Sequence, residues 1–363
     1  MKTLILAAGR FGDAARKAIA EGREPRLDVF ELATRLGADV IDYLDVDRST
    51  RRLVKLTARA LGASAAVAEL GFLARRRYDA ILTTGEDIGL PLALLLKAAG
   101  ADTSHTMIAH TLFPKKKRVF FQPLGVASHI DSVLVYSTSE ERLMIDKLGL
   151  PPAKVLRIHY HADQKFFYPT GAAVEPNLVC AAGQLLRDYD CLIEAVRDEP
   201  IQVQIAAGSP WIERGLAPAR PLPENVKWGK LSRAELRELY VRAAVAVVPI
   251  VQNHYQTGIA TILEMMAMGK CVIATRTFGQ TDTIVDGVTG VYVPPGDPRA
   301  LRAAISRMLA NPEEAARIGQ AARRFVEERA GLDLFVDRLV QAVEAAHATR
   351  RGQQVNGVDS VST

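Results

Sequence analysis

One carboxylate, Glu264, stands inside the apolar run "ILEMMAM", and Gly258 precedes it by six positions. The run reads as a helix that starts near Gly258 and stops before the buried strand "CVIAT". Glycine lets a ligand approach the backbone. The free N–H groups of a first helical turn, here around Thr257, Gly258 and Ile259, attract an anion such as a diphosphate. Glu264 then lies about two turns further in, at roughly 1.5 Å rise per residue. Beside a bound nucleotide, a carboxylate there can accept from both ribose hydroxyls. The competing reading is an exposed helix residue, and the flanking Leu263, Met265, Met266 and Ala267 speak against exposure.

These residues need strands to position them. Short apolar runs occur at "TLILAAG", "ADVIDYL", "YDAILTTG", "TMIAH", "SVLVYS" and "VLRIHY", with helical spacing between them. The pattern restarts with "LVCAAG", "IQVQIAAG", "NVKWG", "VAVVPI", "CVIAT" and "GVYVP". Continuous apolar runs alternating with helices imply an α/β fold with parallel sheets covered on both faces. The chain therefore reads as two successive Rossmann-like domains, 1–168 and 169–328. A helix over 329–348 is expected to pack back on the first domain, and 349–363 to form a polar, disordered tail. The aperiodic stretch near 164–176, with Pro169, Gly171 and Pro176, is the linker candidate. "NPEE" reads as a helix start with Asn311 as N-cap. Ligands of open parallel sheets bind beyond the carboxyl ends of the strands, so two such domains facing each other frame a cleft.

Apolar residues make up 48 % and charged residues 24 % of the 363 residues, as in an ordinary globular protein, and the net charge is +5. That excess suits anionic ligands but falls short of a nucleic-acid binder. Cys180, Cys191 and Cys271 form no CxxC pair and read as small buried hydrophobes in a reducing compartment. No run is long enough to span a membrane, and the cytoplasm, or its membrane face, is the expected location.

Residues 256–305, "QTGIATILEMMAMGKCVIATRTFGQTDTIVDGVTGVYVPPGDPRALRAAI", resemble the carboxyl-terminal domain of retaining glycosyltransferases of family 4, which have the GT-B fold. The family pattern is Glu, seven residues, a second Glu, Ala-Met-Ala-x-Gly, a buried strand, a Val-x-Asp-Gly turn and Pro-x-Gly-Asp. The resemblance implies a metal-independent transfer from a nucleoside-diphosphate sugar to a glycosyl acceptor, with retention of configuration and without a cofactor. Glu264 matches the second Glu, which binds the ribose. The first falls on Gln256, which can hydrogen-bond a sugar hydroxyl but cannot supply charge to an oxocarbenium-like state. In "VCAAGQLLRDYD" the family's Arg slot is Gln184. Arg187, after Gly183, is left to grip the diphosphate, for which a planar guanidinium suits two phosphate oxygens. The alternative for Arg187 is a surface pair with Asp188 or Asp190. His110, at the end of "TMIAH", matches the His that meets the donor sugar. Gly9 and Gly12 match a glycine-bearing turn near the phosphates, and Gly229, Lys230 and Leu231 border the base.

Several residues keep two readings. In "TTGEDIGL", Glu86 is a candidate for acceptor hydroxyls and Asp87 for a helix cap. Lys115, Lys116, Lys117 and Arg118 read as a solvated helix face, or as contact with an anionic acceptor or membrane. The HxH pair His159 and His161 has metal-like spacing but no further ligands, and with Asp163 it reads as structural. The rival functions are a non-hydrolysing epimerase of the same fold and a catalytically weak sugar-nucleotide binder. A nicotinamide dehydrogenase lacks its GxGxxG after any strand.

Overall fold

The computed structural model describes residues 1–208, 218 and 221–359. Two compact units divide the chain. The first comprises Met1–Lys17, Leu27–Ile158 and Phe335–Thr363, and the second Ala18–Arg26 and His159–Leu334.

In the first unit, β1 (Thr3–Leu6), β2 (Asp39–Ile41), β3 (Ala80–Thr83), β4 (Ser104–Ile108), β5 (Ser132–Val135) and β6 (Val155–Arg157) form one parallel sheet, ordered β2-β1-β3-β4-β5-β6. In the second, β7 (Glu175–Ala182), β8 (Gln202–Ala206), β9 (Val226–Gly229), β10 (Ala243–Val248), β11 (Val272–Thr275) and β12 (Val291–Val293) pair in parallel as β12-β11-β10-β7-β8-β9. All twelve strands coincide with the apolar runs read from the sequence. Helices cover both faces of each sheet, so interior strands are apolar on both sides. On β7 and β10, Cys180, Ala182, Ala246 and Val248 point into one core. Their neighbours Val179, Ala181, Val245 and Val247 point into the other, as a two-residue period demands. Small residues on the first face admit the helix Ile259–Ala267, which brings Met265 and Met266 onto it.

The strand order reverses between β1 and β3 in one unit, and between β7 and β10 in the other. At such a point neighbouring strands send their connections in opposite directions, and the loops beyond their carboxyl ends part to leave a crevice. The residues of interest therefore belong in the loops after β7 and β10.

Several boundaries differ from the sequence reading. The chain leaves the first unit at Ile158, before the aperiodic stretch. Phe166 and Phe167 of that stretch are buried in the second core, and Asp163 accepts from the backbone N–H and the guanidinium of Arg26. Arg26 also pairs with Asp333 at 2.7 Å, which ties the excursion 18–26 into the second unit. The last helix runs Leu332–Asp359, so the disordered tail does not begin at 349. Its Phe335, Leu339 and Val343 are buried. Arg350 pairs with Asp102 and Asp131, both at 2.9 Å. Residues 360–363 lie outside the described residues. Asn311 occupies the cap position ahead of Pro312, yet its amide turns back to donate to Arg307 O at 2.8 Å and caps nothing.

His105 on β4 is enclosed. Its Nδ1–H donates to His129 O at 3.1 Å, and Nε2 accepts from Thr83 Oγ1 at 3.1 Å. Burial pushes its pKa down to about 4 from 6.5. The unfolded chain therefore takes up a proton near pH 6.5 that the folded chain refuses until about pH 4. Stability is full above the unfolded value and falls by about 3 kcal/mol across that window. His105→Gln keeps one donor and one acceptor but cannot titrate. Its denaturant midpoint should change less between pH 6.5 and 4 than that of the natural chain. An equal acid limb in both would assign the loss to another group.

Candidate functional site

The loop after β7 turns sharply at Gly183 and Leu186, both with positive φ (97° and 52°). A left-handed leucine is strained. Hydrogen bonds to the β10 loop hold it: Asp188 N to Pro249 O and Val251 N to Leu186 O, each 3.0 Å. Arg187 lies between the two loops. Its Nε donates to Ala182 O at 3.0 Å, Nη1 to Leu185 O at 2.9 Å and Nη2 to Thr261 Oγ1 at 3.1 Å. Three of five N–H groups are thereby used, and Nη1 and Nη2 each keep one. No carboxylate pairs with Arg187 among the described residues. Asp188 is instead spent as a helix cap, accepting from Cys191 N at 3.1 Å. Burial lowers the Arg187 pKa, and the nearby Tyr189, Tyr240 and Glu264 draw it back.

Gly258 is the N-cap of Ile259–Ala267, with φ 83°. A Cβ there would lie 3.1 Å from Val248 Cγ1 and 3.3 Å from Arg187 Nη1, and one at Gly183 would lie 2.3 Å from Arg187 Nη2. Glycine at both places lets the guanidinium lie flush against the backbone. The result is a cation with unspent donors beside the open N–H groups of a helix end, which is a site for an anion.

Glu264 is 8 % exposed, so the exposed-helix alternative fails. Its Oε1 accepts from Arg233 Nη1 at 3.0 Å. Burial raises the carboxyl pKa, and Arg233 works against that effect without cancelling it. Arg233 opens the helix Arg233–Arg242 behind a Ser232–Glu235 capping box. The box was legible in "SRAE", but the facing of Arg233 toward Glu264 was not.

Gln256 is 9 % exposed, and its Oε1 is buried without a partner among the described residues. Its Nε2 lies 3.5 Å from Thr283 Oγ1. Thr283 donates to Gln280 Oε1 at 3.1 Å, and Gln280 donates to Thr257 O at 3.4 Å. Thr257 is buried as well. Gln280 and Thr283, in the connection after β11, were missed in the sequence because polar loop residues carry no periodic signal. Gln184 is buried in the β7 loop. Gly229 ends β9 and accepts from Ala207 N at 2.9 Å; Lys230 is exposed and Leu231 packs on the core.

The first unit gathers its own cluster at the carboxyl ends of β3, β4 and β5. Glu86 is buried and accepts from His110 N at 2.8 Å, Thr111 N at 3.2 Å and Lys117 Nζ at 2.6 Å. A carboxylate so enclosed braces the His110 loop rather than presenting itself to an acceptor. Asp87 caps nothing: Gly85 holds the cap position, and Asp87 pairs with Lys117 at 3.0 Å. Lys117 is thus no solvated charge, and the run 115–118 is not the uniform cationic face expected. The Lys115 side chain lies outside the described residues, Lys116 is exposed and Arg118 is half-buried. Exposed His110 donates from Nε2 to Thr84 O at 2.9 Å. Behind it Glu140, 1 % exposed, has its pKa pushed up to about 8, first by burial and then by Glu86. The Gly9 and Gly12 turn follows β1; Gly9 O accepts from Tyr43 N at 3.0 Å, and Ala8 N donates to Thr84 Oγ1 at 2.9 Å.

His159 sits edge-on to Phe325 and His161 stacks on Tyr160. Among the described residues no three His, Cys, Asp or Glu side chains are grouped to hold a metal. No described helix is long and apolar enough to cross a membrane.

Residues 163–325 match the family described as Glycosyl transferases group 1. Among curated proteins, the chain is 28 % identical over 214 residues to a D-inositol 3-phosphate glycosyltransferase of Thermobifida fusca, covering 56 % of this chain and 46 % of that one. It is 27 % identical over 285 residues to a GDP-mannose-dependent alpha-(1-6)-phosphatidylinositol monomannoside mannosyltransferase of Mycolicibacterium smegmatis, covering 73 % and 70 %. The chain thus spans less than half the length of the first of these relatives. Among solved structures, sucrose-phosphate synthase of Thermosynechococcus elongatus superposes with a TM-score of 0.70 at 18 % identity, over 96 % of this chain and 100 % of that one. HepE of Anabaena in complex with UDP and glucose gives 0.66 at 14 %, over 95 % and 99 %. The chain has the fold of the GT-B glycosyltransferases, and residues 163–325, within its second unit, are similar to the group 1 glycosyl transferases.

Proposed function

We propose that the protein transfers a glycosyl group from a nucleoside-diphosphate sugar to an acceptor hydroxyl, with retention and without a metal. The observation that carries this reading is Arg187: a guanidinium with no carboxylate ion pair among the described residues and two unspent donors, set where the strand order reverses and against an open helix end. In this reading the diphosphate bridges Arg187 and the amides near Gly258. Glu264, steadied by Arg233, accepts from the ribose hydroxyls. The partnerless Oε1 of Gln256 accepts from a sugar hydroxyl. The bond from the anomeric carbon to the phosphate oxygen breaks, and the acceptor oxygen forms its bond on the same face. The acceptor proton passes to the departing phosphate oxygen, so no protein base is needed. Arg187 and the helix end stabilise the charge that builds on the leaving diphosphate. The relatives named for glycosyl transfer support the reaction class, and HepE was solved with UDP and glucose.

A panel of nucleotide sugars, screened by thermal shift and then for turnover, tests the assignment. Binding without turnover on any donor would favour the weak-binder alternative. Arg187→Ala should weaken nucleoside diphosphate binding by about 2 kcal/mol, as expected for a charge-assisted contact, and leave nucleoside binding nearly unchanged. Equal losses would show that Arg187 serves the fold alone. Glu264→Gln should weaken nucleoside and nucleotide alike by about 1–3 kcal/mol, since both carry the ribose. Unaltered affinity would remove Glu264 from the site. Chelation by EDTA should leave turnover intact, because Arg187 and the helix end supply the charge a divalent ion would otherwise bring; loss of activity with rescue by magnesium or manganese would refute that.

Gln256→Glu should leave free nucleoside diphosphate binding within about two-fold, because that ligand does not reach the sugar subsite, while donor turnover changes about ten-fold or more. A rise would mean that the charge stabilises the transition state. A fall would mean that the donor sugar is repelled by a carboxylate. Kinetics identical to the natural chain would place position 256 outside the site.

A further inference from the structure

The helix Arg52–Leu61 of the first unit turns two parallel stripes to solvent. Leu53, Leu56 and Ala60 follow one another at three and four residues and share one line along the helix. Arg52, Lys55 and Arg59 repeat that spacing one position earlier and form the adjoining line. All six are exposed, Leu53 by 66 % and Leu56 by 61 %. The opposite side carries Val54, the helix's buried residue. None of the three cations makes an ion pair or side-chain hydrogen bond among the described residues. From Arg48 to Ala68 the sequence contains cations and no acid. Acids on the neighbouring helices do not compete: Asp45 caps Asp42 N, Asp47 pairs with Arg10, and the Glu69 carboxylate oxygens are buried.

Single exposed leucines are ordinary. An apolar row flush with an uncompensated cationic row is the geometry of an interfacial helix, in which leucines enter the acyl boundary and cations meet headgroup phosphates. A nucleic acid or an acidic protein would use the cations and leave the leucines without a role. We propose that the helix Arg52–Leu61 docks the protein peripherally on an anionic phospholipid bilayer, with Leu53 and Leu56 inserted and Arg52, Lys55 and Arg59 on the lipid phosphates. This face is distinct from the run 115–118, whose Lys117 is consumed by Glu86 and Asp87. The proposal stands independently of the transfer reading.

Sedimentation of the full chain with vesicles tests it. Phosphatidylcholine mixed with phosphatidylglycerol should bind the protein, phosphatidylcholine alone should not, and added salt should weaken binding. Arg52→Gln, Lys55→Gln and Arg59→Gln should each cost about five-fold in affinity. The pair Leu53→Ser and Leu56→Ser should abolish binding at an unchanged Tm, since both side chains are exposed. Absence of binding to any vesicle, or equal binding to both compositions, would overturn the proposal. So would binding insensitive to the leucine pair and displaced by heparin, which would mark a general polyanion site.

Discussion

Arg187 is a positive charge held at the edge of an apolar core, and among the described residues no carboxylate forms an ion pair with it. Removing a charge from water is costly unless an opposite charge or a full set of hydrogen bonds replaces the solvent. Here the replacement is partial: two backbone carbonyls and one hydroxyl. The deficit is structural, because the loops after β7 and β10 are bonded to each other around the guanidinium and glycines at 183 and 258 keep it close. An anion reaching these donors would complete the shell at little cost in reorganisation, since they are already placed. The strained Leu186 and the glycine-dependent turns make sense as the means of holding one cation with two of its donors open.

The same logic separates the two carboxylates of interest. Glu264 is neutralised in advance by Arg233, which suits it to a neutral hydroxyl-bearing group rather than to a cation. Glu86 is neutralised by Lys117 and saturated by backbone donors, so it stiffens the loop that carries His110. Gln256 is the converse case: a neutral side chain in a buried polar cluster, with one carbonyl oxygen left over. An orphan acceptor of this kind costs about 1–3 kcal/mol, which a donor hydroxyl can recover.

The strands were legible because a sheet buried on both faces leaves continuous apolar runs. Glu264 was legible because a carboxylate contradicts such a run, and Gly258 because a glycine at a strand-to-helix turn has a steric reason. What escaped depends on partners distant in sequence. Arg233 looks like any cation after a capping serine, and Gln280 and Thr283 like ordinary loop residues, until the fold brings them to Glu264 and Gln256. The Glu86 reading failed for the same reason, since nothing in "TTGEDIGL" announces Lys117. The early boundary at Ile158 was hidden because Pro and Gly around 169–176 signal a break more loudly than Phe166 and Phe167 signal burial.

The first unit closes only with the chain's last helix, whose Phe335, Leu339 and Val343 are buried and whose Arg350 locks onto Asp102 and Asp131. The second borrows Ala18–Arg26 from near the start. A ribosome therefore releases this piece of the first-made unit only after the second unit has been completed. Until then the surface awaiting that helix is open to water, and the nascent chain must keep it from other partners. No single cut separates the two units into intact halves.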